Sequence, residues 1–136
     1  MTMKRIFLML TALIAISASA ENVSWLRYPS ISPDGKSVAF SYKGDLYVVD
    51  SEGGEARQIT SNPAYDYSPV WSPDGKTVVF ASDRYGNFDI YKVSVDGGVP
   101  VRLTTHSAKE TPWTFTPDGK NILFSALLQD PASSVL

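Results

Sequence analysis

Ser72-Pro73-Asp74-Gly75-Lys76 is the stretch that decides the fold of this 136-residue sequence, because it occurs three times. Ser32-Pro33-Asp34-Gly35-Lys36 lies 40 residues earlier, and Thr116-Pro117-Asp118-Gly119-Lys120 lies 44 residues later. In each copy, proline sets φ near −65°, aspartate bonds back to the main chain, and glycine accepts a positive φ. The copies therefore predict structural turns at Asp34, Gly35, Asp74, Gly75, Asp118 and Gly119.

Other short motifs recur at the same spacing as the Pro-Asp-Gly turns. The Gly-Gly pair at 53–54 recurs 44 residues later at 97–98, and Thr60 recurs as Thr104. The four extra residues of the second copy all fall between Phe80 and Asp89. A period of about 40–45 residues, filled with short strands and turns, is typical of a β-propeller blade.

Each repeat contains segments rich in Val, Ile, Tyr, Phe and Thr, the residues that strands prefer. No segment after residue 20 has a helical period, so we predict an all-β chain. The blades are expected at about 28–60 and 68–104, with a truncated third blade from 112. Since closed propellers contain about 4–8 blades, residues 21–136 are predicted to form a partial β-propeller of about two and a half four-stranded blades.

The first twenty residues have the features of a secretory signal peptide. Lys4 and Arg5 precede an apolar run of eleven residues, Ile6–Ile16, and Ala18-Ser19-Ala20 offers a cleavage site. A membrane anchor is the alternative, but eleven helical residues span only about 17 Å of a hydrocarbon core of about 30 Å. We therefore expect cleavage before Glu21, a periplasmic or secreted protein, and no membrane association after cleavage.

The amino-acid composition excludes several classes of binding and catalytic function. A hydrophobic fraction of 43% and a charged fraction of 19% are those of a globular protein, and the formal net charge is −2. This charge offers no electrostatic basis for binding nucleic acid. The chain has no cysteine and one histidine, His106, and it has no Gly-x-Ser-x-Gly nucleophile elbow. We predict no catalytic residue, no metal site and no cofactor within this chain.

Two groups of residues are candidates for binding. Arg84 and Tyr85 lie in the one loop where the repeats differ in length, and such loops often bind partners. A hairpin fixed by a salt bridge is the favoured interpretation of that loop. Tyr65 and Tyr67 lie in the link between blades, where they line a channel mouth or, as we favour, pack internally.

Apolar residues at equivalent positions of the repeats are predicted to form the core between neighbouring blades. One set ends the first strand of each repeat, and the other lies on the second strand. The two sets are Ile31, Trp71 and Phe115, and Phe40, Phe80 and Phe124.

The repeats resemble those of the TolB and tricorn protease families, which share the pattern (W/F/I)-(S/T)-P-D-G-K-x-(V/I)-x-F, an aspartate before an apolar strand, Gly-Gly, and R-x-(L/I)-T. The pattern is matched at 31–40, 71–80 and 115–124. The stretches at 28–36, 40–49 and 80–91 also resemble the start of exported, bacterial tricorn-like serine peptidases. That resemblance implies a non-catalytic scaffold or substrate gate, truncated before a catalytic domain.

The partners implied by the resemblance are further blades and a catalytic domain of the same protein, with a peptide substrate or a protein partner. Two alternatives stay open. One is a periplasmic TolB-like propeller that binds another protein. The other is the propeller of an amidohydrolase or of a prolyl-oligopeptidase relative.

Overall fold

A computed structural model describes residues 25–127, so the predicted leader at 1–20 lies outside the described residues. Every regular element between these bounds is a strand, and none of the described residues forms a helix that could cross a membrane. The strands are β1 (Leu26–Ile31), β2 (Ser37–Tyr42), β3 (Asp45–Asp50), β4 (Arg57–Gln58), β5 (Asp66–Trp71), β6 (Thr77–Ser82), β7 (Asp89–Ser94), β8 (Val101–Arg102), β9 (Lys109–Phe115) and β10 (Ile122–Leu127).

The strands form three antiparallel sheets that follow the sequence repeat. The first has the order β1-β2-β3-β4, the second β5-β6-β7-β8, and the third pairs β9 with β10. The same pairing occurs in both complete sheets: Phe40 lies opposite Tyr47, and Phe80 lies opposite Tyr91. The prediction of an all-β partial propeller is therefore confirmed.

The hairpin between β2 and β3 has a two-residue turn, Lys43-Gly44, with φ of 51° and 91°. Positive φ at both turn residues is the geometry that matches the twist of paired strands. Gly44 also has a packing reason, because a Cβ atom there would lie 3.4 Å from Tyr65 Cδ2. The link before β5 is thereby held against this turn.

The first strands of the sheets converge. β5 lies against β1 on one side and against β9 on the other, whereas the short fourth strands, β4 and β8, contact only their own sheets among the described strands. This arrangement places the first strands toward a common axis and the fourth strands outside, as in a propeller.

Trp71 at the end of β5 fills the space between the first two sheets. It is 8% exposed and belongs to one buried cluster with Leu46 and Val48 of the first sheet and Phe80 of its own sheet. Its indole Nε1 donates to the backbone oxygen of Ser30 at 2.9 Å, so the contact is both apolar and hydrogen-bonded. The predicted core role of Trp71 is confirmed.

The predicted core positions at the two ends of the described chain differ. Ile31, which corresponds to Trp71, is 63% exposed, and Phe124, which corresponds to Phe80, is 43% exposed. The prediction that these two residues are buried is wrong for the described residues. These two side chains are exposed because they lack a neighbouring sheet among the described residues. No described sheet covers β1 on its outer side, and β10 pairs only with β9.

We expect Trp71→Ala to lower the free energy of unfolding by about 3–5 kcal/mol, as truncation of a buried aromatic side chain does. It removes both the apolar contact and the indole donor to Ser30. Urea denaturation followed by circular dichroism measures the change.

Trp113→Ala is the matched control, because Trp113 is 67% exposed on β9. This variant should stay within about 0.5 kcal/mol of the parent. Equal losses in the two variants would show that Trp71 does not hold the sheets together.

Candidate functional site

Three turns of the same construction lie at one end of the sheets. In the first, the Ser32 hydroxyl donates to Asp34 Oδ1 at 2.6 Å, and the Ser37 amide donates to the Ser32 hydroxyl at 2.9 Å. The Lys36 amide also donates to Asp34 Oδ1, at 3.1 Å. The same three bonds recur around Asp74, and around Asp118 with threonine as the hydroxyl donor.

These bonds use the repeated aspartates as turn acceptors. The serine or threonine hydroxyl, and then the backbone amide, lowers the pKa of each of the three carboxyls below its usual value of 3.8. The following glycines have φ of 73°, 69° and 70°, which side-chain-bearing residues rarely adopt. The acceptor oxygens thus stabilise the turns, at Asp34 and Gly35, Asp74 and Gly75, and Asp118 and Gly119.

Arg84 lies in the loop between β6 and β7 and forms an ion pair with a residue of the second sheet. Its Nη2 is 2.8 Å from Asp66 Oδ2, and its Nε donates to the Ser82 hydroxyl at 3.0 Å. The guanidinium carbon lies 5.6 Å from the ring centre of Phe80 and 5.2 Å from that of Tyr91. With its side chain only 13% exposed, Arg84 connects β5, β6 and β7 from the loop.

Tyr85, the other candidate in this loop, is 69% exposed. Its ring centre lies 4.7 Å from the guanidinium carbon of Arg102, which pairs with buried Asp89 at 2.6 Å. Asp66 Oδ1 and Asp89 Oδ1 have no hydrogen-bond partner among the described residues. Within residues 25–127, no group of three or more His, Cys, Asp or Glu side chains is placed so that it could hold a metal ion.

Tyr67 packs between the second and third sheets. It is 7% exposed, its hydroxyl hydrogen-bonds with the Thr111 hydroxyl at 2.9 Å, and its ring lies 4.9 Å from the ring of Phe88. Tyr65 is 40% exposed, and its ring centre lies 6.0 Å from that of Tyr67. The two tyrosines are therefore neighbours with different surroundings, one internal and one at the rim.

All three first strands have a register shift that was not predicted, and two of these bulges share an unusual backbone conformation. Tyr28 and Ser68 have φ of 53° and 55°, and each precedes a proline at a register shift between the first and second strands. Non-glycine residues rarely adopt this conformation, and bulges often redirect side chains near functional sites. The repeated X-Pro pair, Tyr28-Pro29 and Ser68-Pro69, is the sequence signal that could have indicated them.

A cleft at the opposite end of the sheets from the three turns was also not predicted. It has a volume of about 560 Å³, and we call it the rim cleft. It is lined by Trp25, Arg27, Lys43, Gly44 and Tyr65. Two smaller cavities lie between neighbouring sheets beside the aspartate turns, with volumes of about 480 and 220 Å³.

Repeated four-stranded sheets with first strands facing a common axis define the class of protein: a non-closed section of a β-propeller. The chain belongs to the family of the Tricorn protease N-terminal beta propeller domain, whose model matches residues 23–135.

Individual similarities fall within the same group. The chain is 45% identical over 56 residues to the uncharacterized peptidase YuxL of Bacillus subtilis (strain 168), covering 38% of this chain and 8% of that protein. A TolB-like protein of Agrobacterium tumefaciens matches with a TM-score of 0.66 and 37% identity, over 74% of this chain and 38% of the other. The tricorn protease matches with a TM-score of 0.64 and 27% identity, over 74% and 11%. The matched segments span 8% to 15% of the length of three curated relatives, YuxL and two TolB homologs from Chlorobium.

The aspartate turns predict a dependence of stability on pH. The folded state lowers the pKa of Asp74 below 3.8, so its stabilisation is present above that value and is lost as the pH falls below it. Asp74→Asn removes the titration. The stability difference between the parent and Asp74→Asn should therefore shrink between about pH 5 and pH 2, measured by urea denaturation. Asp96→Asn, in the turn that contains Gly97-Gly98, is the control. The same pH dependence in both variants would contradict the prediction.

Arg84→Met should lower the free energy of unfolding by about 3–5 kcal/mol, because it leaves the buried Asp66 carboxylate without its counter-ion. The double variant Asp66→Asn/Arg84→Met should lose less than the single variant, since no unpaired charge remains. Lys92→Met, at an exposed position of β7, provides the control. Chemical denaturation of the parent, these three variants and the single variant Asp66→Asn measures these effects. A loss in the double variant equal to the sum of the losses in Asp66→Asn and Arg84→Met would be evidence against the pair.

Proposed function

We propose that this chain is the N-terminal, non-catalytic propeller section of an exported tricorn-like serine peptidase, in which it acts as a scaffold and gates the access of peptides. The observation that carries the proposal is the match of residues 23–135 to the tricorn N-terminal propeller family. The 45% identity with a Bacillus subtilis peptidase supports the same assignment. Catalysis would be performed by a domain outside these 136 residues.

The polar groups of the described sheets are consistent with a scaffold. The repeated aspartates accept hydrogen bonds within turns, and Arg84 and Arg102 pair with buried carboxylates. A gating role would use the first strands, since β1, β5 and β9 converge toward the axis. Export would use the basic and apolar leader at residues 1–20, with cleavage before Glu21 and a periplasmic or secreted location.

Further blades of the same protein are the partners that the outer faces of the described sheets would accept. Ile31 is 63% exposed and Phe124 is 43% exposed, although the corresponding Trp71 and Phe80 are buried between sheets. Apolar side chains at these positions are suited to contact with another sheet of the same repeat, because that is what they contact inside the chain.

A TolB-like propeller that binds another protein in the periplasm is the second candidate. It is favoured by the 37% identity with the Agrobacterium tumefaciens protein over 74% of this chain, against 27% for the tricorn protease over the same share. The two candidates differ in whether a serine nucleophile belongs to the whole protein.

Labelling with a fluorophosphonate probe, which reacts with activated serines, distinguishes the candidates. An antibody raised against residues 25–127 would isolate the native protein from a periplasmic extract. For a tricorn-like peptidase we expect a labelled polypeptide that hydrolyses peptides. The purified 136-residue chain should show neither labelling nor hydrolysis.

A heat-denatured sample of the isolated protein controls for non-specific labelling. An unlabelled native polypeptide that retains a stoichiometric protein partner would support the TolB-like candidate instead. Labelling of the 136-residue chain itself, abolished by one substitution within residues 21–136, would overturn its non-catalytic role.

A further inference from the structure

We propose that the rim cleft binds an acidic segment of a partner protein that also carries a bulky apolar side chain. Arg27 and Lys43 both line the cleft, and no acidic side chain does. Within residues 25–127 the two ion pairs are those of Arg84 and Arg102, so neither cation of the cleft is neutralised there. The lining therefore carries two positive charges, and the carboxylate next to it, that of Asp83, already accepts a hydrogen bond from the Tyr65 backbone amide.

The positions of the charges and rings are fixed by the fold. Lys43 belongs to the two-residue turn between β2 and β3, and its Nζ lies 5.1 Å from the ring centre of Tyr42. Tyr65 is held on the other side, because its backbone amide donates to Asp83 Oδ1 at 2.7 Å and its ring lies beside Gly44. A site built on such anchored elements loses little entropy when a partner binds.

The exposure of this rim does not depend on the absence of a neighbouring sheet. By the repeat spacings of 40 and 44 residues, Trp25 corresponds to Tyr65 and to Lys109. Tyr65 is 40% exposed and Lys109 is exposed, although a sheet precedes each of them. Trp25, which is 61% exposed, thus occupies a position that stays at the surface in the other repeats.

The residue types match those that dominate protein interfaces. Trp, Tyr and Arg are enriched among the side chains that contribute most to binding. Arg27 can bind a carboxylate through two parallel N–H bonds, and Lys43 supplies a second, point-like charge. Trp25 and Tyr65 provide apolar surface for a leucine or phenylalanine side chain beside the acidic residue.

The size and openness of the site favour a protein segment over a small molecule. Five residues line a volume of about 560 Å³, which is a wide opening at the surface. Small-molecule sites usually enclose most of the surface of their ligand. One or two side chains of an extended segment, with its main chain left in solvent, suit this opening better. The inference holds for either candidate function, because it concerns this surface alone.

A pair of blocked hexapeptides tests the charge requirement by isothermal titration calorimetry. GDLFEG carries two carboxylates around an apolar pair, and GNLFQG differs only in having amides. We expect GDLFEG to bind the purified chain about tenfold more tightly than GNLFQG, and to bind more weakly at 0.5 M salt than at 0.05 M salt. Equal affinities, or no detectable binding of GDLFEG at millimolar concentration, would overturn the proposal.

Variants locate the site. Arg27→Gln and Lys43→Asn should each weaken GDLFEG binding by about threefold or more, and asparagine is chosen because it tolerates the positive φ of Lys43. The controls Lys36→Gln and Lys76→Gln remove exposed lysines next to the aspartate turns at the opposite end. Equal losses in the controls would show that net charge, and not the rim cleft, attracts the peptide. None of these outcomes bears on the fluorophosphonate test.

Discussion

Packing between neighbouring sheets is the constraint on which this structure depends. Each sheet is a meander of short strands with apolar side chains on both faces, and such a unit cannot bury its own surface. Trp71 shows how the problem is solved: its indole fills the space between the first two sheets and donates to Ser30 of the neighbouring first strand. The turns and hairpins set the register in which this contact forms.

The same constraint explains which features could be predicted from sequence. The aspartate turns and strand types are local, because proline, aspartate and glycine at fixed offsets determine a turn wherever they occur. Burial is not local. Ile31 and Trp71 end equivalent strands, yet one is exposed and the other buried, because among residues 25–127 a sheet covers Trp71 and none covers Ile31. No property of residue 31 itself carries that information.

The candidate sites show a similar division. The spacing predicted a loop of different length at 82–87, and a salt-bridged hairpin was the favoured interpretation; the arginine of that loop pairs with Asp66, 18 positions earlier. The rim cleft escaped prediction because its members, Arg27, Lys43 and Tyr65, are separated by 16 and 22 positions. They meet only through the sheet order, which brings the start of β1, the β2–β3 turn and the link to β5 to one end.

Function in a repeat protein is best sought where equivalent positions keep their exposure but change their chemistry. The aspartates of the three turns are exposed in every repeat and have the same residue type, and their oxygens accept hydrogen bonds within the turns. The rim position occupied by Trp25, Tyr65 and Lys109 is exposed in all three repeats, but its residue type changes from aromatic to charged. The equivalent core positions Ile31, Trp71 and Phe115 also differ in residue type, but all three side chains are apolar. A change from aromatic to charged side chains, at a surface that the fold holds in place, would let each repeat contact a different part of the partner proposed for the rim cleft.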